Sequence, residues 1–305
     1  MLAEPRGFCA GVEKAIKALA WMVRVFEPPV YCYHEIVHNR HVVERFRDQG
    51  VIFVDDVAEV PEGAPLMLSA HGSAPEVVTA ARRADRVVVD AVCPLVTKVH
   101  HELKVRARKG YTVLYVGHQG HEEAVGTMAV APDSVHLVQS EAEVDATELP
   151  TGTPVALLAQ TTLSHDEWAG LRDAAHRRFP DLWLPGRSDL CFATTNRQAA
   201  LRAVASRADA VVVIGSANSS NTVALEKVAL ASGCARVVRI DTVDEVPDDL
   251  SGTVGLTAGA SAPPAVVSEI IDALSGLGTV TVTERITTTE SVQFGLPSEV
   301  RRKVS

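Results

Sequence analysis

Short β-branched runs recur along the chain: LMLS at 66–69, RVVVD at 86–90, TVLYV at 112–116, PVALLA at 154–159, AVVVIG at 210–215 and TVGLT at 253–257. Longer stretches with helical periodicity separate them. Continuous apolar runs are what strands buried on both faces require, and helices between such strands make the sheets parallel. The pattern predicts an α/β fold. The first helix is the plainest, because Val12, Ile16, Leu19, Val23 and Phe26 recur at three- and four-residue spacing until Pro28 and Pro29 end it. Cys9 stands just before that helix. Cys93 likewise precedes Pro94 and a helical run to Arg108, and Cys191 precedes a run from about Asn196 to Ser206. Pro94 suits a first helical position, where its missing donor would be unpaired anyway. One domain-sized, βαβ-rich segment lies between each successive pair of these cysteines, so three similar units around one centre are expected.

Composition narrows the function. The chain has 305 residues, 47% hydrophobic and 22% charged, enough to bury substantial cores and unlike a disordered chain. Its length suggests two or three compact units. The formal net charge is −9, and no basic cluster is longer than Arg82-Arg83 or Arg301-Arg302-Lys303, which argues against a nucleic-acid partner. The opening MLAEPRGFCAGVEK has no basic segment followed by an apolar run, and no stretch approaches ~18 consecutive apolar residues. A cytoplasmic location without a membrane partner is expected. Five cysteines without a secretion signal argue for thiols with chemical roles rather than a disulfide framework.

The predicted strands end in polar loops: SAHGS at 69–73, GHQGHEE at 117–123, AQTTLS at 159–164, GSANSSN at 215–221 and TAGASAP at 257–263. In open parallel sheets ligands collect at the carboxyl ends of strands. The paired Cys-x2-4-Cys usual in zinc sites is absent, whereas three isolated cysteines before helices can each give one thiolate to a shared iron–sulfur cluster. Three thiolates leave one iron of a cubane open, where it polarises a substrate oxygen while the cluster supplies electrons. Cys32 and Cys234 read as buried core cysteines. His38, His71 and His121 sit beside turns or helix starts and are candidate donors to a phosphate. Ser219, Ser220 and Asn221 open a helix after an apolar strand, completing an anion cradle to which Ser261 adds a hydroxyl. Neither a P-loop nor Gly-x-Gly-x-x-Gly is present, so electrons are expected from another protein. Glu123 is the candidate acid for protonating a departing hydroxyl, with Glu122 as its rival.

These residues lie in motifs that resemble a known family. PRGFCAGV at 5–12, HEIVHNR at 34–40, SAHG at 69–72, CPLVTKVH at 93–100, GHQGHEEAVGTM at 117–128, QTTLS at 160–164, CFATTNRQ at 191–198, GSANSSN at 215–221 and TAGASAP at 257–263 are similar, in order, to the 4-hydroxy-3-methylbut-2-enyl diphosphate reductases. The resemblance runs from about residue 3 to the Phe294-to-Pro297 stretch. It implies the last step of the methylerythritol phosphate route, a two-electron reductive dehydroxylation giving isopentenyl and dimethylallyl diphosphates. It also implies three small α/β domains in pseudo-threefold arrangement around a central 4Fe-4S cluster: 10–93, 94–187, and 1–9 with 188–278, with a tail at 279–305 packing over them.

Carried over by motif, Cys9, Cys93 and Cys191 are the expected cluster ligands. His38, His71, His121, Ser219, Ser220, Asn221 and Ser261 are the expected diphosphate pocket, with Thr161 near the substrate hydroxyl and Glu123 as proton-relay acid. The implied electron donor is external, of the ferredoxin or flavodoxin kind. Two positions depart from the family. Only Met1, Leu2 and Ala3 precede Glu4, which suggests a trimmed start or a weakly paired first strand. Where the family carries His-Pro-Glu, this chain reads His121-Glu122-Glu123, with a displaced loop as the expected effect. No fused RNA-binding domain is expected after residue 305.

A non-redox hydro-lyase of the quinolinate-synthase type is the rival reading, since an open iron also serves dehydration; it would turn over without a reductant. A phosphate-binding or zinc-stabilised non-enzyme would be colourless.

Overall fold

The computed structural model describes residues 1–83 and 85–301; Arg302 and Lys303 of the basic C-terminal cluster lie outside the described residues. The strands are β1 (Leu2–Glu4), β2 (Val30–Tyr33), β3 (Val51–Val54), β4 (Leu66–Leu68), β5 (Val88–Asp90) and β6 (Thr112–Val116). They continue with β7 (Val135–Val138), β8 (Val155–Ala159), β9 (Ala210–Ile214), β10 (Arg236–Ile240), β11 (Val254–Ala258) and β12 (Glu284–Ile286). The helices are α1 (Ala10–Val25), α2 (Arg40–Arg47), α3 (Pro75–Arg82), α4 (Pro94–Arg108), α5 (Glu122–Met128) and α6 (Glu141–Asp145). After them come α7 (His165–Arg178), α8 (Phe192–Ala205), α9 (Ser220–Ala231), α10 (Pro264–Gly276) and α11 (Ser298–Arg301). Among the described residues no helix is long and apolar enough to cross a membrane.

The chain divides into two compact units. The first comprises Met1–Glu13, His38–Glu44 and Phe192–Gln293, the second Lys14–Val37, Arg45–Cys191 and Phe294–Ser305. In the first unit a five-stranded parallel sheet runs in the order β10-β9-β11-β1-β12. Period-two alternation assigns its two faces. Val211 and Val213 pack with Leu201, Leu225 and Val228 of α8 and α9, while Val212, Ile214 and Leu256 pack with Val266, Val267 and Ile270 of α10. Both faces are covered, which is why these strands read as unbroken apolar runs.

The second unit holds two smaller parallel sheets, β3-β2-β4-β5 and β7-β6-β8. The face of the latter formed by Val113, Tyr115, Ala156 and Leu158 meets Val99 and Leu103 of α4 and Ala124 of α5. Its other face, Leu114, Val116, Leu157 and Ala159, meets Trp168, Leu171 and Ala174 of α7. The α/β class with three parallel sheets is as the periodicity predicts.

One expectation is corrected. The short first strand is not a weakly paired edge: β1 lies inside its sheet, bonded to β11 through Leu2↔Leu256 and to β12 through Leu2↔Glu284, Ala3↔Arg285 and Glu4↔Ile286. Three residues suffice because hydrogen bonds on both sides and burial of Leu2 and Ala3 compensate for length. The edge strands β7 and β10 escape the hydrophobic pattern, because His136 and Arg239 interrupt their apolar runs.

Candidate functional site

In the second unit the strand-end loops are stitched to one another by backbone hydrogen bonds. Cys93 N–H donates to the Ala70 carbonyl (3.0 Å), Gln160 N–H to Val116 (2.8 Å) and Cys191 N–H to Thr161 (3.1 Å). Cys93 is the N-cap of α4, and its thiol is not spent on capping. Cys191 directly precedes α8. Both cysteines are partly exposed.

Glu123, in the first turn of α5, is only 2% exposed. Its two carboxylate oxygens accept from the Thr161 N–H (2.7 Å) and the Thr161 hydroxyl (2.9 Å). The acid and the threonine singled out separately in the sequence are therefore one hydrogen-bonded unit. His121 caps the same helix, its Nδ1 accepting from the Glu123 N–H at 3.1 Å. A neutral ring so engaged carries its proton on Nε2, an assignment inferred from the hydrogen bond. His71 meets His121 edge to face at 6.1 Å, with Nε2 3.9 Å from the Glu122 carboxylate. The two neighbouring acids thus face different partners, Glu123 toward Thr161 and Glu122 toward His71. Glu122 occupies the first position of α5, as an acid at the positive end of a helix should.

Close backbone contact supports this arrangement. A Cβ at Gly126 of α5 would overlap the Gly72 carbonyl oxygen, and Gly72, at φ +87°, has the Val96 and His100 side chains of α4 against its other side. Burial pulls the His100 imidazole down to about 4, and its Nε2 is buried with no hydrogen-bond partner among the described residues. Its ring is neutral at physiological pH.

In the first unit Cys9 N–H donates to the Ala260 carbonyl (3.0 Å), and its own carbonyl accepts from Glu13 N–H at the start of α1 (2.9 Å). The preceding turn is held by Arg197, 1% exposed, which donates to the Gly7 carbonyl (3.0 and 2.8 Å) and the Phe8 carbonyl (3.1 Å) and pairs with Glu290 (3.1 Å). Ser219 caps α9 by accepting from Thr222 N–H, and Ser220 is the first residue of that helix. The Ser261 hydroxyl donates to the His38 carbonyl (2.8 Å) and lies 3.5 Å from the Ser219 hydroxyl. Asn221 accepts from Ala260 N–H (2.9 Å), tying the α9 turn to the loop that also holds Cys9. His38, Ser219, Ser220, Asn221 and Ser261 thereby cluster at the amino end of a 12-residue helix, where N–H groups and the helix dipole favour an anion.

Cys32 and Cys234 are buried, and burial pushes the Cys32 thiol well above its ordinary range, as expected of core residues. Sequence reasoning missed Arg197 and Lys14. Lys14 is 9% exposed and donates to the Val92 carbonyl at 2.7 Å, next to Cys93. Burial pulls its ammonium down, opposed by the charges of Cys93, Asp90 and Glu299. Arg197 lies inside CFATTNRQ, but nothing in a sequence marks a guanidinium as buried. A cavity of about 500 Å³ in the first unit, lined among others by Leu2, Leu250, Val254, Ile271 and Leu274, contains no cysteine, histidine or acid. It lies at the amino ends of β1 and β11, away from the candidate chemistry.

The model of the LytB protein family matches residues 1–275. The chain is 49% identical to 4-hydroxy-3-methylbut-2-enyl diphosphate reductase 2 of Mycobacterium bovis over 99% of this chain and 93% of that protein. It is 46% identical to the reductase of the same name from Rhodopirellula baltica over 99% and 95%. Its fold is similar to the solved E-1-hydroxy-2-methyl-but-2-enyl-4-diphosphate reductase of Plasmodium falciparum, with a TM-score of 0.95, 31% identity, and 99% and 96% of the two chains covered.

Proposed function

The chain belongs to the LytB protein family, and from that premise we propose how its residues carry out the family's reaction. It is a reductase of 4-hydroxy-3-methylbut-2-enyl diphosphate, the terminal enzyme of the non-mevalonate pathway. Two electrons and two protons enter, the allylic carbon–oxygen bond breaks, and water leaves with isopentenyl or dimethylallyl diphosphate. Because every turnover consumes two electrons, the hydro-lyase reading is not favoured.

The family is one of iron–sulfur enzymes. In our reading the cofactor is a 4Fe-4S cluster with Cys9, Cys93 and Cys191 as its three ligands and its fourth iron open. The donor set fits: three partly exposed thiols, each ahead of a helix, with backbone amides already engaged, whereas Cys32 and Cys234 are buried. When bound, the cluster supplies electrons and a Lewis-acidic iron. The diphosphate is assigned to His38, His71 and His121 with Ser219, Ser220, Asn221 and Ser261, whose donors and helix terminus supply the local attraction that a chain of net charge −9 does not provide globally. Glu123 holds the proton for the departing oxygen, and Thr161 orients that carboxylate and passes the proton on.

The domain boundaries proposed are 10–93, 94–187, and 1–9 with 188–278, with 279–305 as a tail. The electron donor is a separate ferredoxin or flavodoxin, and the location is cytoplasmic.

The observation that carries the assignment of Glu123 over Glu122 is its buried carboxylate, both oxygens of which accept from Thr161. The test is anaerobic turnover with a strong artificial reductant. Glu123→Gln keeps the shape but removes the acid, so turnover falls by about two to four orders of magnitude while substrate still perturbs the cluster spectrum. Glu122→Gln stays near the parent. Equal rates for Glu123→Gln and parent, or a collapse confined to Glu122→Gln, refute the assignment.

A further inference from the structure

The loop that carries Cys191 has no regular structure of its own, yet it is bound tightly to the helix that Cys93 caps. Lys98, in the second turn of α4, spends its ammonium on three consecutive residues of that loop: the Arg187 carbonyl (2.8 Å), the Ser188 carbonyl (3.1 Å) and Asp189 Oδ1 (3.0 Å). The Asp189 side chain is fully buried, and its second oxygen accepts from the N–H of Ala159 at the end of β8 (3.1 Å). Two residues on, Cys191 N–H donates to Thr161, the same residue that grips Glu123. A single ion pair, its carboxylate buried and its ammonium partly exposed, thus joins the Cys93 helix, the Cys191 loop and the strand that delivers Thr161.

Burying a carboxylate is costly, and an apolar pair of similar volume usually serves stability as well or better. What such a pair provides is fixed geometry, and metal ligands need that from the residues around them. We infer that Lys98 and Asp189 are positioning residues that set Cys191 against Cys93 for cluster assembly and retention. This rests on the reading of those cysteines as cluster ligands.

The test uses the full chain, reconstituted anaerobically with iron and sulfide, and measures bound iron, the electron paramagnetic resonance of the reduced cluster and the rate of iron loss to a chelator. Lys98→Met and Asp189→Asn should keep parental circular dichroism yet lose iron at least threefold faster and give a broadened resonance. Lys98→Arg, which can donate to the same oxygens, should recover most of the retention; Lys98→Gln replaces Asp189→Asn if the latter fails to fold. Parental iron loss and resonance in folded Lys98→Met overturn the inference, as does failure of Lys98→Arg to improve on Lys98→Met. A Cys93→Ser protein that retains its iron overturns the ligand reading, and this inference with it. Iron loss in Cys93→Ser alongside parental behaviour in the Lys98 and Asp189 variants overturns only the positioning role.

Discussion

His100 offers a quantitative test of how the second unit is held together. Its ring lies against the Gly72 turn beside His71, and burial pulls it from 6.5 to about 4. The folded state therefore disfavours the charged ring. Above pH 6.5 neither state is protonated and the residue costs nothing. As pH falls through 6.5 the unfolded chain gains a proton that the folded chain refuses, and stability is lost until about pH 4, where both states are protonated. Linkage over that interval amounts to about 3 kcal/mol in full, of which about 2 kcal/mol is already lost on going from pH 7 to pH 5. The assay is denaturant unfolding of the apoprotein at pH 7 and pH 5 for the parent, His100→Gln and His100→Leu. Packing losses in the variants are common to both pH values and cancel, so the difference of differences isolates the titration. Both variants should lose about 2 kcal/mol less than the parent over this range. Identical pH dependence in all three proteins would mean that the ring is solvated or charged in the folded state, and the reasoning would fail.

The same turn carries another expectation: Gly126→Ala forces α5 away from the Gly72 carbonyl, and because Glu123 lies one turn earlier on α5, turnover should drop tenfold or more while far-UV circular dichroism stays parental. Unchanged turnover would show that the contact is slack. For the proposed anion cradle, His71→Asn and Asn221→Ala should each remove hydrogen bonding to a charged group worth about 1.5 to 3 kcal/mol, so the substrate dissociation constant measured by calorimetry should rise roughly ten- to a hundredfold. Parental affinity in both variants would move the diphosphate elsewhere.

The chain's hydrophobic pattern by itself determined the α/β class and the central strands. Val211 to Ile214, Val113 to Val116 and Val155 to Ala159 are buried on both faces, so burial leaves unbroken apolar runs that can be read directly. Local chemistry was equally legible where it depends on neighbours in sequence: cysteines ahead of helix starts, serines at the opening of α9, an acid two residues after His121. Tertiary structure decided what depends on distant residues. That β1 lies inside its sheet follows from pairing with residues about 250 and 280 positions away, which no local period encodes. That Glu123 rather than its neighbour Glu122 is the carboxylate bonded to Thr161 was hidden too, since adjacent residues on a helix point about 100° apart and only the fold says what each direction meets. Arg197, Lys14 and the Lys98–Asp189 pair stayed hidden for the same reason. A charged residue reads as surface until long-range packing supplies the carbonyls and carboxylates that allow it to be buried.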